Sequence, residues 1–254
     1  MINIKTKKEI IKMKEGGKIL ADVLSKLIAN TKEGLSGVEL DKLAEDLIIK
    51  RGALPGFKKV KGYSHTLCIS LNDVVVHGIP SDYHFKSGDL VGIDCGVFYK
   101  GFFTDAAQTV RIKNQELGIK DKAVDQFLET GKRALNEAIK EAKIGNRIGD
   151  ISKIIQNIVE GEGYSVVRSL VGHGVGKNLH EEPEVPGFLN VSLNRTPLLK
   201  EGMVIAIEVI YNMGKSEVVY AGGDGWSIKT KDGSLSSTFE KTVAITQNGP
   251  LVLT

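Results

Sequence analysis

Five residues in this chain are of types that do chemistry in places where they are costly. Asp94 lies inside Val91-Gly-Ile-Asp-Cys-Gly96, and Asp105 inside Thr104-Asp-Ala-Ala-Gln-Thr-Val110. Both segments read as strands, where Asp is normally depleted. A hairpin turning at Tyr99–Lys100 sets the two carboxylates opposite each other on one face, with Cβ atoms about 5 Å apart. A slip of one residue would instead send one of them to the other face. Facing carboxylates repel unless a shared proton, a Lys or Arg, or a metal ion neutralises them. Glu208, in Val204-Ile-Ala-Ile-Glu-Val-Ile210, and Glu240, in Ser237-Thr-Phe-Glu-Lys-Thr-Val-Ala244, repeat the pattern of an acid in an apolar strand. Each needs a partner or a shifted pKa. His173 sits between glycines in Val171-Gly-His-Gly-Val-Gly176, with His180 seven residues on. Those glycines would let the backbone approach a ligand closely. Four carboxylates and one imidazole suit a pair of hard or borderline divalent ions, and the absence of a thiolate argues against a structural zinc site.

These residues need a scaffold. Apolar spacing predicts helices over Lys7–Ala29 (on Ile11, Ile19, Leu20, Val23, Leu24 and Leu27), Gly37–Lys50, Lys120–Glu141 and Arg147–Glu162. Ser36 and Glu39 form a capping box for the second helix. Strands are expected at Thr66–Leu71, Val74–Val76, Leu90–Cys95, Phe102–Ile112, Ser165–Val171, Met203–Tyr211, Trp226–Lys229 and Thr238–Thr246. Thr31–Gly52 aligns with Ala142–Gly163 at an offset of 111, Gly34 on Gly145, Leu40 on Ile151 and Gly52 on Gly163. Two similar halves around a central site follow, in one domain covering residues 1–254.

Composition narrows the function classes. The chain has 254 residues, 41% of them hydrophobic and 26% charged, as expected of a globular protein with a sizeable core. No apolar run reaches the roughly 20 residues that cross a bilayer. The N-terminal stretch lacks the apolar centre of a secretory signal, so a cytoplasmic location without membrane attachment is expected. The net charge of +3 is too small to imply nucleic-acid binding, and only six of the 34 basic residues are Arg. Lys5, Lys7, Lys8, Lys12 and Lys14 read as a solvated helix face, with contact to ribosomal RNA as the other reading. Cys68 and Cys95 cannot make a disulfide framework and should stay reduced.

With Asn72-Asp-Val-Val-Val-His-Gly-Ile-Pro80, Gly172-His-Gly-Val-Gly176, His180-Glu-Glu-Pro183 and Lys231-Asp-Gly-Ser-Leu-Ser236 added, the chain resembles the methionine aminopeptidases and their pita-bread relatives over nearly its whole length. The resemblance implies an α+β pita-bread (creatinase/aminopeptidase) fold of two pseudo-symmetric halves, with antiparallel sheet and flanking helices. It implies removal of the N-terminal methionine from nascent polypeptides when the second residue is small, by a metal-bridged water attacking the first peptide bond. Asp94, Asp105, His173, Glu208 and Glu240 would hold two divalent ions (Co, Mn, Fe or Zn), with Asp105 and Glu240 bridging. Glu208 would act as general base, and His77 and His180 would bind the substrate and stabilise the tetrahedral intermediate. Phe57, Val60, Tyr63, Cys68, Leu179 and Trp226 would line the methionine pocket. Relatives often carry an aromatic where Val60 and Leu179 stand. A Na or K ion would sit near Asn72, Val74 and Ser236. A monomer, with a ribosome contact and no specific nucleic acid, completes the expectation.

Two other readings compete. An Xaa-Pro type exopeptidase of the same fold carries a large N-terminal domain, and only about 65 residues precede the first site strand here. A non-enzymatic ribosome- or RNA-binding relative would usually have lost ligands, and all five candidates are present. The 31 residues between Glu208 and Glu240 leave no room for the helical insertion of the second type of methionine aminopeptidase, so the chain resembles the short first type.

Overall fold

The computed structural model describes residues 1–112 and 119–254. The first half runs α1 (Lys7–Asn30), α2 (Gly37–Lys50), β1 (Leu54–Pro55), β2 (Leu67–Leu71), β3 (Val74–Val76), β4 (Leu90–Tyr99) and β5 (Phe102–Arg111). The second runs α3 (Ile119–Glu141), α4 (Ile148–Gly161), β6 (Ser165–Val166), β7 (Val171–Gly174), β8 (Glu181–Pro186), β9 (Val204–Asn212), β10 (Val218–Tyr220), β11 (Ile228–Thr230), β12 (Ser236–Thr246) and β13 (Gly249–Val252). A large antiparallel sheet is ordered β1-β4-β5-β12-β9-β7-β8, with β2 on β4, β6 on β9 and β13 on β12. A second, three-stranded sheet is ordered β10-β11-β3.

Helices cover one face of the large sheet, and the strand alternation separates core from site. Ile93, Cys95 and Ala106 pack with Leu20, Leu24 and Leu40 beneath α1 and α2. Ile207, Val209 and Phe239 pack with Phe127, Ile151 and Ile155 beneath α3 and α4. The residues between them, Asp94, Asp105, Glu208 and Glu240, face the opposite side and line a cavity. Successive side chains of a strand point to opposite faces, so one sheet serves both purposes.

The offset of 111 holds in three dimensions. It maps Gly37–Lys50 onto Ile148–Gly161, residue for residue. The Ser36 N–H donates to Glu39 Oε2 at 2.8 Å, and the Arg147 N–H to Asp150 Oδ2 at 2.7 Å, so both helices begin with the same acid three residues in. Arg147 lacks the hydroxyl with which Ser36 completes its box. Leu40 and Ile151, Ala44 and Ile155, and Ile48 and Val159 are all fully buried. Gly34 and Gly145 precede the helices, and Gly52 and Gly163 follow them, all at positive φ. In each half a long first helix, α1 or α3, lies across two adjacent strands, β4 and β5 or β9 and β12.

Several expectations need correction. The β4–β5 turn is centred on Lys100–Gly101, at φ 47° and 87°, not on Tyr99–Lys100. Two successive positive φ angles make the tight hairpin turn, and Gly101 supplies the one that side chains resist. Asp94 therefore pairs with Ala107, and Asp105 with Gly96. The shift is two residues, so both carboxylates keep the same face as diagonal neighbours. Ser165–Val171 is not one strand: β6 pairs with β9 at Tyr211 and Asn212, β7 pairs with it at Ile205 and Ala206, and the chain leaves the ladder between them. Ile11 is exposed, and its neighbours Ile10 and Met13 take the buried face of α1. Lys5 is not part of a solvated face. It is buried, with Nζ 2.7 Å from Glu181 Oε2. Among the described residues no helix is long and apolar enough to cross a membrane, and Cys68 and Cys95 are free and buried.

Candidate metal centre

Five strands of the large sheet carry the floor of the cavity: Asp94 on β4, Asp105 on β5, His173 on β7, Glu208 on β9 and Glu240 on β12. Glu208 and Glu240 are directly paired across β9 and β12. Ligand-type atoms of Asp105, His173 and Glu240 all lie within 4.8 Å of one another. His173 Nδ1 is 2.9 Å from the Gly174 carbonyl, which can only accept, so Nδ1 carries the proton. Nε2 is then the free lone pair, 3.5 Å from Glu208 Oε1. This is how a metal-ligating imidazole is oriented by its other nitrogen.

The electrostatics of the floor ask for cations. Burial pushes Asp94 up to about 7, and burial followed by the Asp94 charge pushes Glu208 up to about 8. Burial, then repulsion from the neighbouring carboxylates, raises Asp105 and Glu240 well above the usual range. Asp94 Oδ1 and Glu240 Oε1 are buried without a hydrogen-bond partner. Among the described residues no Lys or Arg reaches ion-pair distance of these four acids. Orphaned carboxylate oxygens beside an imidazole lone pair fit divalent ions with oxygen-rich coordination.

Above the floor stand two more imidazoles. His77 follows β3 at φ 57°, a strained left-handed conformation for a side-chain-bearing residue. Gly78, next in the chain, lies against β2, where a Cβ would meet the Ile69 carbonyl oxygen at 2.1 Å. The rings of His173 and His180 are 4.3 Å apart, edge to face. Burial lowers the pKa of all three histidines, that of His173 to about 4, and His180 lowers His77 and His173 further. All three are therefore neutral at pH 7 and able to donate one N–H.

The wall is apolar and borne mostly by loops. Phe57, Val60, Tyr63, Cys68, Leu179 and Trp226 line the same cavity, of about 120 Å³. Tyr63 stacks edge-on against Trp226 at 5.0 Å and Phe57 at 6.4 Å, and its hydroxyl donates to the Leu67 carbonyl at 2.7 Å. Burial and the Asp94 charge hold the Cys68 thiol well above its usual pKa, so it lines the wall as a neutral group. Val76 and Thr238 also line the cavity and escaped sequence reasoning. Val76 is one of three valines in a row, and Thr238 is an ordinary strand residue, so neither carries a signal.

The residues that the resemblance gives to a monovalent ion are not pocket residues. Asn72, Val74 and Ser236 lie outside the cavity lining. The Asn72 carbonyl accepts the Ser236 N–H at 2.9 Å, while its side chain bonds Asp89 Oδ1 and the Leu90 N–H, each at 2.9 Å. The glycines around His173 serve protein neighbours rather than a ligand. A Cβ on Gly172 would meet the Ala206 oxygen at 2.5 Å, and one on Gly174 the Glu182 oxygen at 2.2 Å. Strands β8 and β9 close in on both sides of His173, and only glycine leaves them room. One residue that sequence reasoning set on the surface bears on the site. Lys5 grips Glu181, which follows His180, and Glu181 Oε1 in turn accepts the Asn178 N–H at 3.1 Å. The segment ahead of α1 thus ties down the loop that presents Leu179 and His180.

Residues 11–247 match metallopeptidase family M24. The chain is similar to a methionine aminopeptidase of Clostridium perfringens, 44% identical over 254 residues that cover all of this chain and 99% of the relative. It also resembles the crystal structure of methionine aminopeptidase from Thermotoga maritima, with TM-score 0.93 and 38% identity over 100% of this chain and 99% of that one. The prolidase of Pyrococcus horikoshii OT3 is similar at TM-score 0.77 and 26% identity, over 98% of this chain but 62% of the prolidase.

Proposed function

The chain belongs to metallopeptidase family M24, and from that membership we propose how its residues carry out the work of an aminopeptidase that removes N-terminal methionine. The activity is that of its full-length relatives. One observation supports the assignment of roles: four acids, Asp105 and Glu240 buried and Asp94 and Glu208 half-buried, converge with an imidazole on one side of a cavity whose other side is apolar.

Asp94, Asp105, His173, Glu208 and Glu240 are the residues we assign to two divalent ions. Asp94 on β4, His173 on β7 and Glu208 on β9 would be ligands from the two sides of the floor, and Asp105 and Glu240, on the strands between them, would be ligands from its middle. Bound divalent ions supply Lewis acidity and a water acidic enough to attack an amide near neutral pH. Glu208 takes the proton released in that attack and passes it to the leaving amine. His77 and His180, whose pKa values desolvation in the cavity lowers, would each donate an N–H near the scissile amide, where charge develops on the carbonyl oxygen. The wall from Phe57 to Trp226 takes the methionine side chain, whose burial contributes about 1.5–3 kcal/mol. His77 and His180 crowd the space beyond the first residue, which favours a small second residue.

We further propose that residues 1–254 act as one catalytic domain, monomeric and cytoplasmic, on the N-termini of nascent chains, with a ribosome contact. A Na or K ion is assigned to the Asn72, Val74 and Ser236 region.

A peptide assay after chelation, with add-back of Co, Mn, Fe or Zn one at a time, tests the reading. Met-Ala-Ser should be cleaved only with metal restored, and Ala-Pro-Ser should resist. Preference for Ala-Pro-Ser would favour the Xaa-Pro reading. Full activity in verified metal-free protein would overturn the metal assignment.

A further inference from the structure

The two halves meet along the seam between β5 and β12, and there the ladder among the described residues is a single pair, Phe239 opposite Gln108. Two threonine hydroxyls stand in for the missing backbone bonds. Thr242 Oγ1 accepts the Asp105 N–H at 2.9 Å and donates to the Asp105 carbonyl at 2.7 Å. Thr109 Oγ1 accepts the Thr238 N–H at 3.0 Å and donates to the Thr238 carbonyl at 3.1 Å. The two grips are reciprocal: a hydroxyl from each half holds the backbone of the other. In the register set by Phe239 and Gln108, the two grips sit at equal distance on either side of Glu240.

The backbone leaves no alternative at Thr242. Its own N–H donates to Thr254 Oγ1 at 3.1 Å, and its carbonyl accepts the Leu253 N–H at 2.9 Å. At this residue β12 turns from β5 to the last residues of the chain, so only the side chain remains to satisfy Asp105. Thr242 and Thr109 are 0% and 2% exposed, so neither grip can be replaced by bulk water. A hydroxyl that both accepts from and donates to the facing backbone fixes where that strand lies relative to its own.

We propose that Thr109 and Thr242 are positioning residues that set the width of this seam, and with it the span across which Asp105 and Glu240 hold divalent ions. Asp105 is fixed through its own backbone by Thr242. Glu240 lies two residues from Thr242 and two from Thr238, so both grips bracket it. The inference rests on the metal assignment above. It adds that the hydroxyls, which touch neither ion nor substrate, tune the site through strand separation.

Isothermal titration of the metal-free protein with Mn²⁺ tests this, alongside the melting temperature of each metal-free variant. Thr242→Val keeps the side-chain shape but leaves the Asp105 N–H and carbonyl unpaired. It should weaken Mn²⁺ binding by about 10- to 100-fold, the usual cost of removing a group that orients a ligand. Thr109→Val should also weaken it. Thr242→Ser, which keeps the hydroxyl, should stay within about threefold of wild type. Wild-type affinity in both valine variants overturns the proposal, whatever happens to the melting temperature. Equal losses in Thr242→Ser and Thr242→Val overturn it too. If Thr242→Val does not fold, Thr109→Val against Thr109→Ser decides by the same criterion. Wild-type protein that binds no Mn²⁺ would break the metal assignment itself, and not the seam alone.

Discussion

The floor and the wall of the cavity are built by different means. Every floor residue sits on a strand of the large sheet, so ladder bonds and register set its place. Of the six apolar wall residues assigned above, Cys68 sits on a strand; Phe57 lies in a single 3-10 turn, and Val60, Tyr63, Leu179 and Trp226 lie in loops, with Phe57, Tyr63 and Trp226 packed ring on ring and the loop of Leu179 tied by Lys5 to Glu181. The floor concentrates like charge that folding alone does not neutralise. The wall offers shape and apolar surface and stores no comparable electrostatic cost. Damage to the floor should therefore remove the reaction, and damage to the wall should only weaken binding.

The largest effect should come from Asp105→Ala, which takes a carboxylate from the middle of the floor. At least one divalent ion should be lost and turnover should fall to background, checked by metal analysis and kcat on purified protein. Normal turnover with both ions retained would put Asp105 outside the floor. His180→Ala comes next and falls between the two regions, since its ring packs on His173 but we assign it no ion. Metal content should be unchanged, and kcat should fall by roughly 10²–10³, about 3–4 kcal/mol. Loss of metal in this variant would move His180 into the floor.

Leu179→Ala tests the wall. It should raise KM for Met-Ala-Ser and lower kcat/KM by roughly tenfold, about 1.4 kcal/mol, with kcat nearly unchanged. An equal fall in kcat would show that the wall positions the reacting bond as well.

The smallest effect is a pH trend that the floor alone should produce. In metal-free protein Asp94 is raised to about 7 and Glu208 to about 8, while both are ionised in the unfolded chain above about pH 5. The folded state then holds more protons, so these groups make stability fall as pH rises through 7 and 8. The depressed histidines act in the opposite sense, but only below their unfolded pKa of about 6.5. Between pH 6.5 and 8 the carboxylates act without them. The melting temperature of metal-free protein should fall by a few degrees over that window, and added Mn²⁺ should stabilise more at pH 8 than at pH 6.5. A metal-free melting temperature that rises over the window would contradict the raised carboxylates.

The same contrast explains what was legible beforehand. An Asp or Glu inside an apolar strand is expensive, so all four acids were conspicuous as residue types in the wrong setting. The wall could be assigned only through resemblance, because an apolar residue in a loop looks like any other part of a core. Lys5 was misplaced on the surface for a similar reason. A basic run gives no hint that one member has a buried partner 176 residues away.

The sequence by itself determined the local features: where α2 begins and ends, and the 111-residue repeat. Caps, turn glycines and alternation act over a few residues and need no distant partner. Tertiary structure alone decided the rest. The hairpin turns at Lys100–Gly101, both at positive φ, which sets its register two residues from the expected one. The pairing of Glu208 with Glu240, the convergence of five strands on one cavity and the threonine grips across the seam depend on contacts between segments far apart in the chain. No local preference records which distant backbone will be left without a hydrogen-bond partner, and that is the need Thr109 and Thr242 meet.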